Sequence, residues 1–257
     1  MPTFKLILAY DGTGLVGWQR QAAGVSVQGL LEAALAELEG KPVTVTGAGR
    51  TDAGVHALGQ VASASLERFI DDRSLMRALN GRLPAAVRVI DASLVPAAFN
   101  PRFDARSKTY RYRIWNADVA SPFERAYAWH IAAPVLDVAA MDAAARMVEG
   151  RHDFAAFQST GTETATTERT ITSCRVAGSP NEERGDRPLL TCEIAGDGFL
   201  RHMVRALAGT LVEVGRGKRP PERMRDVLAS AARAEAGPTA PAEGLFLVKV
   251  DYGEACG

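Results

Sequence analysis

The chain has 257 residues, enough for one large domain or two small ones. Hydrophobic residues make up 47% and charged residues 23%, the balance of a soluble globular protein, and no apolar run approaches the roughly 18 residues of a membrane helix. Formal net charge is zero, which argues against a nonspecific nucleic-acid binder.

The distribution of charge matters more than its sum. Of 30 basic residues, 25 are Arg and 5 are Lys. Arg suits bidentate phosphate contacts and stacking on bases, although a genomic bias toward Arg gives the same ratio. Met1 to Lys5 enters a strand at once with no signal-peptide pattern, so the cytoplasm is the expected location. Cys174, Cys192 and Cys256 match neither a zinc site nor a disulfide framework. All three read as free thiols, with Cys174 and Cys192 on neighbouring strands.

Taken in order, Phe4 to Tyr10 reads as a strand and Asp11 to Gln21 as a Gly-punctuated loop. Ser26 is a good N-cap for a helix to about Glu39, with Val27, Leu30, Leu31, Ala34, Leu35 and Leu38 as its apolar stripe. Gly40 and Pro42 stop it. Short strands are expected over Val43 to Thr46 and from Val55 to about Leu66, a helix over Asp72 to Asn80, and a strand over Val87 to Val95. The order is β-α-β-β-α-β.

The second half repeats that order with one extra helix. Thr109 to Trp115 alternates, with Tyr110, Tyr112 and Ile114 on one face and Arg111 and Arg113 on the other. Asp137 caps a helix to Glu149, with Leu136 and Met141 as a hydrophobic staple and Gly150 as its stop. Ser159 to Glu168 reads as a mobile loop. Thr170 to Val176 and Leu189 to Ile194 read as a hairpin with a polar connection around Asn181 to Arg187. A helix is expected from Leu200 to Val214, closed by Gly215. Another runs from Pro220-Pro221 to Gly237-Pro238, and Leu245 to Tyr252 is the last strand. The pattern predicts an α+β protein of two tandem split-βαβ halves, residues 1–100 and 101–257, able to merge into one broad, mainly antiparallel sheet with helices on one side.

Between the first two short strands lies Gly47-Ala48-Gly49-Arg50-Thr51-Asp52-Ala53-Gly54-Val55-His56-Ala57, with three glycines in eight positions. Glycine admits positive φ and close backbone approach, so Asp52 is held on a shaped turn, two residues from Arg50. On spacing alone, ordinary turn chemistry is the better account of Thr-Asp-Ala-Gly. No Gly-Lys-Ser/Thr follows, which excludes a phosphate loop, and Asp52 with His56 is too small a ligand set for a metal.

The string Gly49 to Ala57, with Arg50-Thr51-Asp52 inside it, resembles the signature of the TruA family of tRNA pseudouridine synthases. Further similarity lies in Tyr10-Asp11-Gly12-Thr13, Gly17-Trp18-Gln19, Ser26-Val27-Gln28, Lys108-Thr109-Tyr110-Arg111-Tyr112, Gly150-Arg151-His152-Asp153-Phe154, Gly198 to Arg205 and Gly244-Leu245-Phe246-Leu247. The resemblance covers nearly the whole chain, in order; Leu15 departs from the aromatic that is commoner there. It implies a pseudouridine synthase fold with a central RNA-binding cleft between two α+β halves. It also implies a homodimer and a substrate in the tRNA anticodon stem-loop, at positions 38, 39 and 40.

The implied reaction isomerises uridine. The N-glycosidic bond breaks, the uracil turns, its C5 bonds to the same ribose carbon and the C5 proton leaves. Nothing is oxidised, reduced or hydrolysed overall, so no cofactor and no metal is expected. By match to the family's motif, Asp52 is the carboxylate that attacks the ribose C1′ or removes the C2′ proton. Tyr110 matches the family's active-site tyrosine, placed to stack on the uracil and to assist loss of the C5 proton; by pattern alone it is a strand aromatic facing a core. Arg205 matches the basic residue beside the aspartate, and Arg50 supports the same site. Arg201 and Arg205 are four apart on one helical face, which is also the pattern of a solvated basic face. Lys108, Arg111, Arg113, Arg151 and Arg201, together with Arg50, are candidates for RNA phosphate contacts, which fix register without reading sequence. His56, His130, His152 and His202 read as structural.

Three alternatives stand beside this: a synthase of the same fold acting on another RNA, a non-catalytic RNA-binding module, and a carboxylate hydrolase with Asp11 as the second acid or base. Intact Arg50-Thr51-Asp52 and Tyr110 count against the second, and Asp11 is better explained as a turn residue.

Overall fold

The computed structural model describes residues 1–159, 161, 164–179 and 189–253. Cys256, part of the 159–168 loop and the connection across 181–187 fall outside the described residues. The elements run β1 (Thr3–Tyr10), α1 (Val27–Glu39), β2 (Thr46–Gly47), β3 (His56–Ser65), α2 (Asp72–Asn80), β4 (Val87–Val95), β5 (Ser107–Asn116) and β6 (Trp129–Ile131). Then follow α3 (Val138–Arg146), β7 (Gly150–Asp153), β8 (Glu168–Ser179), β9 (Leu189–Gly196), α4 (Met203–Gly215), α5 (Arg223–Ser230) and β10 (Leu245–Asp251). The chain is α+β with mainly antiparallel strands, as the pattern predicts. No helix among the described residues is long and apolar enough to cross a membrane.

Two compact units divide the chain: residues 1–108 with 246–257, and residues 109–245. The sequence-based boundary at residue 100 counts the last strand with the second half. In the fold, β10 pairs in parallel with β3, Phe246 opposite His56, and belongs with the first unit.

The first unit carries strands in the order β4-β1-β3-β10, with β2 paired to β3. β1 runs antiparallel to both β3 and β4 and buries Phe4, Leu6, Leu8 and Tyr10 at every second position, the period-two pattern of a half-buried strand. α1 begins where Ser26 accepts a hydrogen bond from the Gly29 N–H and ends where Gly40 turns left-handed at φ 73°. In α2 the Asp71 side chain caps the Ser74 N–H, and Leu75 and Leu79 are buried. The strand expected over Val43 to Thr46 shrinks to Thr46–Gly47. Two α1 side chains take the polar backbone groups of Val45: its N–H donates to Glu32, and its carbonyl accepts from Gln28. A backbone satisfied in this way has no need of a ladder partner.

In the second unit the order is β5-β9-β8-β7, with β6 parallel to β5. Tyr110, Tyr112 and Ile114 of β5 are buried, with Arg111 and Arg113 less so, as the alternation predicts. β8 and β9 form the expected hairpin, Val176 opposite Cys192 and Cys174 opposite Ile194. The two thiols are buried and unbridged. The Cys192 thiol beside it and burial hold the Cys174 thiol well above its ordinary pKa, which makes it unreactive.

Asp137 caps α3 through the Ala140 N–H, and Leu136 and Met141 are both buried against Gly215. The helix stops at Arg146 rather than Glu149 because its last turn tightens. The N–H groups of Met147, Val148 and Glu149 bond three residues back, to Ala144, Ala145 and Arg146. α4 starts later than expected, since His202 sits at φ 64° and breaks any helix from Leu200. α5 ends early, at the left-handed Ala231.

Candidate active site

The sequence-predicted residues fall on both units. Arg50, Asp52 and Lys108 belong to the first; Tyr110, Arg111, Arg113, Arg151, Arg201 and Arg205 belong to the second.

In the first unit, Asp52 opens a tight turn. Its carbonyl accepts from the Val55 N–H at 3.1 Å, and Gly54 takes φ 78° at the third position. That is the left-handed site a type II turn requires. The 11–18 loop lies on this turn backbone to backbone: the Trp18 N–H donates to the Thr51 carbonyl at 3.0 Å and the Gly54 N–H to the Leu15 carbonyl at 3.3 Å. A Cβ on Gly17 would stand 2.4 Å from the Thr51 oxygen, and one on Gly12 would stand 2.2 Å from the Val55 oxygen. The glycines in the two motifs are therefore explained by one contact, the approach of the first loop to the Asp52 turn. Gly47 leaves room for the Trp18 indole, which would lie 2.4 Å from an added Cβ.

Thr51 faces inward and is buried, Arg50 is exposed and Asp52 is half-buried. The Thr51 hydroxyl meets the Tyr10 hydroxyl at 2.9 Å. The Gln60 amide donates to the Gly49 carbonyl at 3.0 Å and reaches the Tyr10 oxygen at 3.4 Å. Burial pushes the Tyr10 phenol up to about 12, so it keeps its proton near neutrality. Lys108 brings its ammonium beside Gly49, 3.5 Å from where a Cβ would stand. Asp11 is the turn residue expected, accepting from the Thr13 N–H, and its carboxylate lies 3.2 Å from His56 Nδ1.

In the second unit, Tyr110 retains 8% of its surface and packs edge-on to Phe199, ring centres 5.0 Å apart. Arg205 is half-buried on the first turns of α4. Its Nε donates to the Ala240 carbonyl at 2.7 Å, and its own carbonyl accepts from the Ala240 N–H at 3.1 Å. The 237–240 segment reaches α4 because Gly209 has no side chain: a Cβ there would stand 1.8 Å from the Pro238 oxygen. Next along, the Tyr112 hydroxyl donates to the Pro241 carbonyl at 2.8 Å. Burial and the Glu243 carboxylate push the Tyr112 phenol up, against the pull of the Arg205 charge.

The candidates for phosphate contact divide. Arg111 pairs with Glu193, Arg113 with Glu124 and Arg151 with Glu168, each at 2.8 Å. Arg50 and Arg201 are exposed. The four histidines serve the scaffold. His56 is buried, stacks on Phe246 at 4.6 Å and receives the Gly12 N–H on Nδ1. His130 and His152 bond backbone carbonyls, and His202 bonds Ser159. Among the described residues, no three His, Cys, Asp or Glu gather as a metal-ligand set.

Sequence patterning passes over Gln60, Phe199 and the 237–241 segment. Gln60 does leave a signal, as the one amide in the apolar run of β3; the backbone segment leaves none.

A family model described as tRNA pseudouridine synthase matches residues 6–104 and 144–253. A protein named tRNA pseudouridine synthase A from Syntrophotalea carbinolica is 45% identical over 252 residues, covering 98% of this chain and 97% of the relative. Proteins of the same name from Myxococcus xanthus and Solidesulfovibrio magneticus are each 47% identical, over 98% of this chain and 92% of theirs. The mixed α+β architecture and mainly antiparallel strands accord with the pseudouridine synthase fold. On the family match over most of its length and on near-full-length identity to these relatives, the chain belongs to the tRNA pseudouridine synthase family.

Proposed function

We propose that this tRNA uridine-to-pseudouridine isomerase acts at positions 38, 39 and 40 of the anticodon stem-loop, with Asp52 as its catalytic carboxylate. The observation that carries the proposal is the Asp52 turn, braced by backbone contacts from the 11–18 loop in a chain of this family. A carboxylate that must meet one ribose carbon gains from being held before the substrate arrives.

A target uridine in the stem is stacked and paired, so it is flipped out first. Asp52 then attacks C1′ or removes the C2′ proton, and the uracil leaves; after the base turns, its C5 bonds to C1′, which releases the Asp52 carboxylate or takes the proton back to C2′. Tyr110 gives the freed base a flat surface, an interaction worth ~1–3 kcal/mol, and its hydroxyl assists loss of the C5 proton. Arg50, two residues from Asp52, and Arg205 are the basic residues that support the reaction. Exposed arginines and Lys108 hold phosphates. The protein works as a homodimer in the cytoplasm, where tRNA is matured.

The test is incubation with unmodified tRNAs bearing uridine at 38, 39 or 40, followed by site-by-site mapping of pseudouridine. Modification confined to those positions is expected. Modification elsewhere in the tRNA, with none in the anticodon stem-loop, would overturn the assignment of site.

A further inference from the structure

We infer that Tyr10 is a positioning residue for the isomerisation: through the Thr51 hydroxyl, and beside the Gln60 amide, it fixes the Gly49-Arg50-Thr51-Asp52 backbone from behind. The inference rests on the reading of Asp52 as the catalytic carboxylate.

All three side chains are buried, Tyr10 to 4%, Thr51 to 7% and Gln60 to 0% of their exposed surface. Polar groups removed from water are costly unless paired, and each of these is paired to the same short stretch. Gln60 Nε2 holds the Gly49 carbonyl at 3.0 Å and reaches the Tyr10 oxygen at 3.4 Å, while its Oε1 accepts from the Val61 N–H at 3.1 Å. The Tyr10 hydroxyl meets the Thr51 hydroxyl at 2.9 Å. From the other side, the Trp18 N–H holds the Thr51 carbonyl. Arg50 is thus clamped at the residue before it and the residue after it, and Asp52 follows the second clamp directly. The neighbours of Gln60 on β3 are Gly59 and Val61, with Ala57, Ala62 and Ala64 nearby, all buried. Packing alone would be served there by a leucine or methionine; the amide is needed for the two carbonyl and hydroxyl partners that belong to the catalytic segment and its brace. Tyr10, held neutral by burial, joins this network as an uncharged hydroxyl.

A scaffold role predicts lost stability with an unchanged reaction once the protein is folded and tRNA is saturating. A positioning role predicts a slower reaction with tRNA binding intact, because an error near 1 Å costs as much as ~100-fold. The experiment compares Tyr10→Phe, Thr51→Val, their double mutant and Thr51→Ser below their melting temperatures. It measures single-turnover rate at saturating tRNA and tRNA affinity separately. Tyr10→Phe and Thr51→Val should each slow the reaction about tenfold or more with affinity nearly unchanged. The double mutant should be no slower than the slower single, since the two hydroxyls act through one contact. Thr51→Ser, which keeps the hydroxyl, should recover most of the rate. Wild-type rates in folded Tyr10→Phe and Thr51→Val overturn the inference, as do losses that multiply in the double mutant. If Tyr10→Phe does not fold, the contrast of Thr51→Val with Thr51→Ser decides alone. Asp52→Asn run alongside separates the two readings. An active Asp52→Asn defeats the catalytic assignment; an inactive one beside wild-type Tyr10→Phe and Thr51→Val defeats only the positioning role.

Discussion

Tyr110 is the residue at which two readings of one side chain meet. Its place in the alternation of β5 marks it as a core aromatic, and it is indeed mostly buried, edge-on to Phe199. The proposed function gives it the uracil. The two uses differ in what the hydroxyl is for. Tyr110→Phe keeps the ring and should bind tRNA nearly as wild type while turning it over at least about 100-fold more slowly, the low end for a lost general acid–base group. Tyr110→Ala should lose binding as well. Rates and dissociation constants for the two variants check this; a Phe variant at wild-type rate would leave Tyr110 with stacking only. The turn at Asp52 was legible from its glycines, Gly54 taking the left-handed position; the role proposed for Asp52 came by resemblance. Arg205 was legible only by resemblance: four-residue spacing to Arg201 fits a solvated face equally well, and its Ala240 contact comes from a segment far along the chain.

Among the elements, caps and periods were read well and ends less so. Ser26, Asp71 and Asp137 cap their helices through side chains, so α1, α2 and α3 begin where local chemistry dictates. The misplaced boundaries have nonlocal or conformational causes. Gln28 and Glu32 take the polar groups of Val45 away from a strand, and His202 adopts a left-handed conformation that composition does not announce. The short strands β6 and β7 carry too few residues to show a period. α4 supplies a sharp test of packing over propensity. In an exposed helix, replacing glycine by alanine gains about 1 kcal/mol. At Gly209 the new methyl would strike the Pro238 oxygen, so Gly209→Ala should instead destabilise by ~1–3 kcal/mol, the cost of overpacking. It should also disturb Arg205, whose partner Ala240 lies just beyond Pro238. Urea midpoints for the variant and wild type measure the sign directly.

For the whole molecule, zero net charge conceals an uneven supply of cations. The alternation of β5 and the arginine-rich composition pointed to phosphate contacts, but patterning could not show which arginines already carry carboxylates. Arg111, Arg113 and Arg151 do; the solvent-accessible Arg111 and Arg151 pairs are weak, about 0–1 kcal/mol, so they can exchange a carboxylate for a phosphate at modest cost, whereas Arg113 and Glu124 are largely shielded. Affinity for tRNA should therefore fall with salt, with a log–log slope of roughly −0.7 to −0.9 per phosphate contact. Arg50→Ala and Arg201→Ala should each flatten it by about one contact. Titrations at several salt concentrations test this, and a flat wild-type dependence would contradict it. The tandem α+β order was legible from local pattern, whereas the membership of β10 in the first unit was not: its parallel pairing with β3 joins the two ends of the sequence. The central claim is that the Asp52 carboxylate performs the chemistry. The most direct measurement is the single-turnover rate of Asp52→Asn on unmodified tRNA, with folding checked by circular dichroism and affinity measured alongside. The account predicts a folded, tRNA-binding protein with no detectable pseudouridine over many hours; turnover within about tenfold of wild type would contradict it.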